Sequence, residues 1–262
     1  MGPSSPTPTL PYKSVDSCIK DLLLFTDTLL AKCVRVNTDT LSAGVNTLTV
    51  LYNLLDCDAA SDAYFKEKGA TEGLSRVLVK YLPDHSVAGV STADQLDLAT
   101  LIMGIFSRLL SDTDVKRIKQ REAMMGVLLQ QGIASAMTSI CHYCSDLQEP
   151  DLIVFTTAVI SALAHCTAVK EAFTQPTNSN AVISALANIL VAPIAAEAGS
   201  KPLNIQMLQL LQTVRSMSSA VLPVDAVALL QSYRAVSPLA GDAGVREVLD
   251  ALFVVAVPVP CK

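Results

Sequence analysis

Apolar residues recur at spacings of three and four along almost the whole chain, and short polar or Pro/Gly-bearing breaks separate the segments that carry this spacing. The pattern predicts a succession of amphipathic helices, each with one face turned to a core. A first helix begins at Ser14 or Asp16, both good N-caps, and carries Val15, Cys18, Ile19, Leu22, Leu23, Thr26, Leu29 and Leu30 in phase to about Cys33. A second runs from about Thr40 to Leu55, with Leu41, Val45, Leu48, Leu51, Tyr52 and Leu55 aligned. A short third, about Ala59 to Lys68, is closed by Gly69, a residue free to take the left-handed conformation. Then come Thr71 to Leu82, ended by Pro83, a loop from Asp84 to Thr92, and a long apolar run from Ala93 to Leu110.

The most charged helix is expected from Asp112 to Gln131, with Gly132 ending it and Ile133 to Cys144 continuing the pattern. Asp151 to Leu190 holds the cleanest sequence of elements: an apolar run, a short amphipathic helix, a polar break and a second apolar run, with Pro150 as a first-turn residue. Further helices are predicted at Leu203 to Met217, Val224 to Tyr233 and Val245 to Val255. Both ends differ in character. Residues 1–13 form a Pro/Ser-rich tail, whose prolines remove backbone donors, and 258–262 a short C-terminal tail.

Composition narrows the class. Of 262 residues, 51% are hydrophobic and 16% charged, which excludes disorder for most of the length. Aromatics are 5% and Trp is absent, which suits Ala/Leu layers between close helices better than a sandwich or barrel. A net charge of −5 provides no global positive field for nucleic acid or anionic lipid. The start of the chain has neither a basic nor an apolar signal region, and seven dispersed cysteines fit a reducing compartment, so an intracellular, cytoplasmic location is expected.

The ends of the long helices align as LTVLYNLLD (Leu48 to Asp56), IMGIFSRLLSD (Ile102 to Asp112), VISALAHCTAV (Val159 to Val169) and LLQTVRSMSSA (Leu210 to Ala220), at intervals of roughly 50 to 57 residues. Each is followed by a short polar-faced segment (AYFKEKG, VKRIKQREAMM, AVKEAFTQ) and then by a medium run such as GLSRVLVKYL, GIASAMTSI or NAVISALANIL. This order resembles the armadillo repeat, and AHCTAVKEAFTQ is similar to that family's junction between repeats; HEAT-type repeats share the pattern. The resemblance covers about Ser14 to Ser219 and implies an all-α solenoid of three to four degenerate units, here placed at 14–257. In peptide-binding armadillo proteins the third helix carries an Asn that clamps an extended ligand beside a Trp. The matching positions are Asn53, Arg108, His165 and Ser216, so this chain departs from that ladder. Capture of an extended peptide is then not expected, and use of the groove or an edge for a folded partner stays open.

Chemistry-bearing motifs are sparse. Cys141 and Cys144 form a C-x-x-C that zinc could take together with His165 or Cys166, yet no second pair follows, and two core residues one helical turn apart is the favoured reading. Histidine occurs at His85, His142 and His165, and no nucleophile elbow, phosphate-binding loop or H-E-x-x-H is present. Asp56, Asp58 and Asp62 lack the Gly and terminal Glu of a calcium loop and read as loop and cap acids. Lys116, Arg117, Lys119 and Arg121 form one basic cluster that a continuous helix would gather on adjoining stripes.

These readings lead to a non-catalytic scaffold or adaptor, a subunit of a larger hetero-oligomeric assembly, without cofactor or metal. The alternative on the same fold is a chaperone cofactor or nucleotide-exchange regulator. A third is an RNA-contacting subunit that uses residues 116–121. The candidate partner surface comprises Asn53, Arg108, His165, Ser216, Lys116, Arg117, Lys119 and Arg121, facing other protein subunits and spanning no membrane.

Overall fold

The computed structural model describes residues 14–32, 37–82, 85, 87–111, 114–133, 136–137, 139–140, 150–165, 180, 183–184, 187, 190, 204–205, 208, 211–212 and 222–253. Among them the regular elements are helical and no strand occurs. No described helix is long and apolar enough to cross a membrane.

Helix α1 (Val15–Thr26) starts at the N-cap Ser14, whose Oγ accepts a hydrogen bond from the Ser17 amide at 3.2 Å. The same coil does not continue as an α-helix to Cys33. At Asp27–Ala31 it widens into a π-helical turn, a form that leaves backbone groups to be satisfied elsewhere. Two side chains from α4 (Ala70–Lys80) and its cap do so: Lys80 Nζ and the Tyr81 hydroxyl donate to the Leu30 carbonyl at 2.7 and 3.1 Å. Arg76 of the same helix donates to Asp27 Oδ1 at 3.1 Å, so α4 holds both ends of the turn.

Helix α2 (Thr38–Leu54) is capped by Asn37, which accepts from the Thr40 amide and hydroxyl at 2.8 and 2.7 Å. After the short α3 (Asp58–Lys66), Gly69 adopts φ 82°, the left-handed conformation the pattern assigned it, and the chain enters α4. Helix α5 (Thr92–Ser111) begins at a reciprocal cap: the Ser91 hydroxyl accepts from the Asp94 amide at 3.2 Å, while Asp94 Oδ2 accepts from the Ser91 amide at 3.0 Å. Gln95, buried, ties this start to the preceding loop through the Leu82 and His85 carbonyls at 2.9 and 2.7 Å.

The predicted continuous helix from Asp112 to Gln131 is divided. A 3₁₀ turn at Val115–Arg117, capped by Asp114, precedes α6 (Ile118–Gln130), and Gly132 at φ 77° ends it. Helix α7 (Pro150–His165) starts on the proline, which has no amide proton to leave unsatisfied. Near the C-terminus lie α8 (Val224–Val236), a 3₁₀ turn at Pro238–Gly241 and α9 (Ala243–Phe253). The Tyr233 hydroxyl donates to the buried Asn204 Oδ1 at 2.9 Å, and the Ser184 hydroxyl to Asp225 at 2.8 Å, which anchors α8 to the preceding segments.

Packing explains why α5 is apolar around most of its circumference. It packs against α2, α4 and α7, and α7 is its most extensive neighbour. Leu98, Ile102, Met103, Ile105, Phe106 and Leu109 are each at most 1% exposed, because three sides of the helix need cover. Helix α1 packs on α2, α3 and α4, and α4 on α6.

Candidate interaction surface

Helices α2, α5 and α7 carry polar residues outside their apolar stripes: Asn46 and Asn53 on α2 and Asp97 on α5 are exposed, and Arg108 on α5 is half-buried. Val154 of α7 joins them, 50% exposed. Two of the predicted positions, Asn53 and Arg108, are therefore placed on neighbouring helices, with Asn53 exposed. His165 is the last residue of α7 and its side chain lies outside the described residues, as does Ser216.

Arg108 organises this face. Its guanidinium lies over the Tyr52 ring, with Cζ 3.9 Å from the ring centroid, and Nη1 donates to the Tyr52 carbonyl at 2.7 Å. The same nitrogen pairs with Asp56 Oδ1 at 2.7 Å. Tyr52 in turn meets Phe155 of α7, their ring centroids 5.9 Å apart and tilted by 57°. Gly104 makes this approach possible: a Cβ there would come within 3.0 Å of Tyr52 and 3.1 Å of Phe155. The result is a solvent-open cleft of about 330 Å³ lined by Tyr52, Gly104, Ser107, Arg108, Ser111 and Phe155. It combines aromatic walls, two hydroxyls and one cation.

The basic cluster does not form one solvent face. Lys116 and Lys119 are exposed and Arg121 is half-buried, but Arg117 is only 4% exposed. Its Nε donates to Asp62 at 2.7 Å, Nη1 to Asp58 at 3.3 Å and Nη2 to the Asp58 carbonyl at 3.0 Å. The physical reason is the 3₁₀ turn: it breaks the 3.6-residue phase that would have set Arg117 one turn before Arg121, and it points Arg117 back at α3. Asp58 and Asp62 thus serve as partners of an inward arginine.

Other clefts offer less. One of about 250 Å³ lies beside Lys20, Asp27 and Arg76, and its carboxylate is already engaged by Lys32 and Arg76. Another, of about 260 Å³, lies between α3, α4 and α6 and is walled in part by Tyr64. Full burial pushes that phenol well above its ordinary pKa, and its oxygen is 3.3 Å from the Thr71 hydroxyl. Partial burial, and then the charge of Asp21, raises the Cys18 thiol, so it holds little thiolate at neutral pH. Cys141, His142, Cys144 and Cys166 fall outside the described residues, and among the described residues no three His, Cys, Asp or Glu side chains converge as a metal site.

Arg108 was legible from the alignment of the long-helix ends, where it stands at the position matching Asn53. Tyr52 and Phe155 were not: Tyr52 reads as one more core-phase residue, and its pairing with groups more than fifty positions away leaves no mark in local spacing. No family model, curated protein or solved structure matches this chain.

Proposed function

We propose that this chain is a non-catalytic protein–protein interaction scaffold or adaptor, an armadillo-like solenoid serving as one subunit of a larger assembly, with the outward face of α2, α5 and α7 receiving a folded partner. The observation that carries this reading is the Tyr52–Arg108–Phe155 cleft, which is lined from α2, α5 and α7 and opens to solvent. An arginine stacked on a tyrosine beside exposed apolar area is the residue chemistry of binding hot spots. The armadillo resemblance supports the same use of these helices. The nucleic-acid reading has less to draw on, since Arg117 is turned inward and leaves Lys116 and Lys119 as the exposed pair of the cluster.

The test is affinity purification with crosslinking on the full chain, comparing the unmodified protein with Asn53→Glu and Val154→Glu. Both side chains are exposed, so folding is expected to survive. Recovery of the crosslinked partner should fall by about tenfold or more in each variant, while Val236→Glu on α8 leaves it unchanged. Unchanged recovery in both, with crosslinks confined to other faces, rejects the proposed surface.

A further inference from the structure

We infer that the Tyr52–Arg108–Phe155 cleft takes a single acidic side chain, the carboxylate of a Glu or Asp on a partner protein, and that Asp56 is an internal stand-in which that carboxylate displaces. The inference rests on the α2–α5–α7 face being an interaction surface and adds the chemistry of what it binds.

Three observations point this way. First, Arg108 uses Nη1 for both of its recorded bonds, to the Tyr52 carbonyl and to Asp56, each at 2.7 Å. A guanidinium presents five N–H donors in a planar fork, and no bond from Nε or Nη2 is recorded among the described residues, so much of the fork is open to a further acceptor. Second, the two members of the pair differ sharply in exposure: the Arg108 side chain is 24% exposed and the Asp56 side chain 72%. Asp56 reaches the cation from the rim, where solvent competes with it, and such a contact is weak enough to exchange. Third, Arg108 is the one cation among the residues lining the cleft, and its lining is otherwise Tyr52, Phe155, Gly104 and two serines. One fixed positive charge balances the single negative charge of a carboxylate, whose two oxygens fit the guanidinium fork. The aromatic rings would cover the methylene stem of a Glu, and Ser107 and Ser111 offer hydroxyl donors to its head.

The occupant is therefore a partner's carboxylate-bearing segment with an apolar neighbour. Two N-acetylated, C-amidated, fluorescein-labelled pentapeptides, Ala-Leu-Glu-Phe-Ala and Ala-Leu-Gln-Phe-Ala, serve as probes in anisotropy titrations of the full chain. The Glu peptide should bind about tenfold more tightly than the Gln peptide, and Arg108→Gln should remove about that difference. Asp56→Asn should act in the opposite direction and tighten the Glu peptide by about threefold, a gain that loss of folding cannot mimic. Equal binding of the two peptides, an unaltered affinity in Arg108→Gln, or weaker binding in Asp56→Asn each overturns the inference. Sedimentation showing self-association of the unmodified chain that Arg108→Gln abolishes would assign the cleft to a second copy and overturn it as well. If the peptides fail while crosslinks from the assembled complex still map to Asn53 and Val154, the acidic-ligand inference falls and the interaction face stands.

Discussion

Asp27 shows how much one position can depend on residues far along the chain. Partial burial raises the cost of its charge, but hydrogen bonds and charge from Lys32 and Arg76 outweigh that cost and hold the carboxyl below its ordinary pKa. A carboxyl with a depressed folded pKa contributes stability above its unfolded value, near 4, and loses it as pH falls through the lower folded value. The expected outcome is that thermal stability of the unmodified chain declines below about pH 4, and that Asp27→Asn, less stable at pH 7 by roughly 1 kcal/mol, has a flatter profile below about pH 4. Thermal melts across that range check it; parallel profiles for the two proteins would remove Asp27 from the account. Arg76 and Lys80 sit one turn apart on α4, so the polar spacing was visible, but its target on the π-helical turn was not.

At the scale of elements, glycines separate two kinds of helix interior. Gly44 of α2 lies against the π-helical turn: a Cβ there would come within 2.6 Å of Leu30, which is fully buried. Gly126 of α6 has nothing within 4 Å of the same hypothetical atom. Gly44→Ala should destabilise by about 1–2 kcal/mol, overpacking exceeding the gain in helix propensity, whereas Gly126→Ala should stabilise by about 0.5–1 kcal/mol. Chemical denaturation of both variants measures the difference, and a stabilised Gly44→Ala would show that the two helices can separate at no cost. Both glycines interrupt the apolar pattern in the same way, so only the neighbour across the interface distinguishes them.

For the molecule as a whole, α5 is the shared member. Phe106, fully buried between its neighbours, should cost about 3–5 kcal/mol on replacement by Ala. Because α2 and α7 both pack on α5, Phe106→Ala should lower amide protection in both flanking helices, while Leu252→Ala in α9 should lower it only near α8 and α9. Hydrogen exchange decides this: loss of protection restricted to α5 would argue against a cooperative row.

Helix content, phase and most boundaries follow from local rules, and these the chain announces by itself. Leu74, Val77, Leu78, Tyr81 and Leu82 are buried as their spacing requires, Gly69 and Gly132 take positive φ where helices end, and Pro150 opens α7. Each of those outcomes is set within a few residues, by backbone sterics, by orphan amides or by the need to hide one stripe. The π-helical turn after Thr26, the break before Ile118, the inward Arg117 and the Arg108–Tyr52 stack were decided otherwise. Their partners lie roughly fifty to sixty positions away, at Lys80 and Tyr81, at Asp58 and Asp62, and at Tyr52 and Asp56. A hydrogen bond or ion pair at that separation imposes no periodicity, so it emerges only when folding brings the helices side by side.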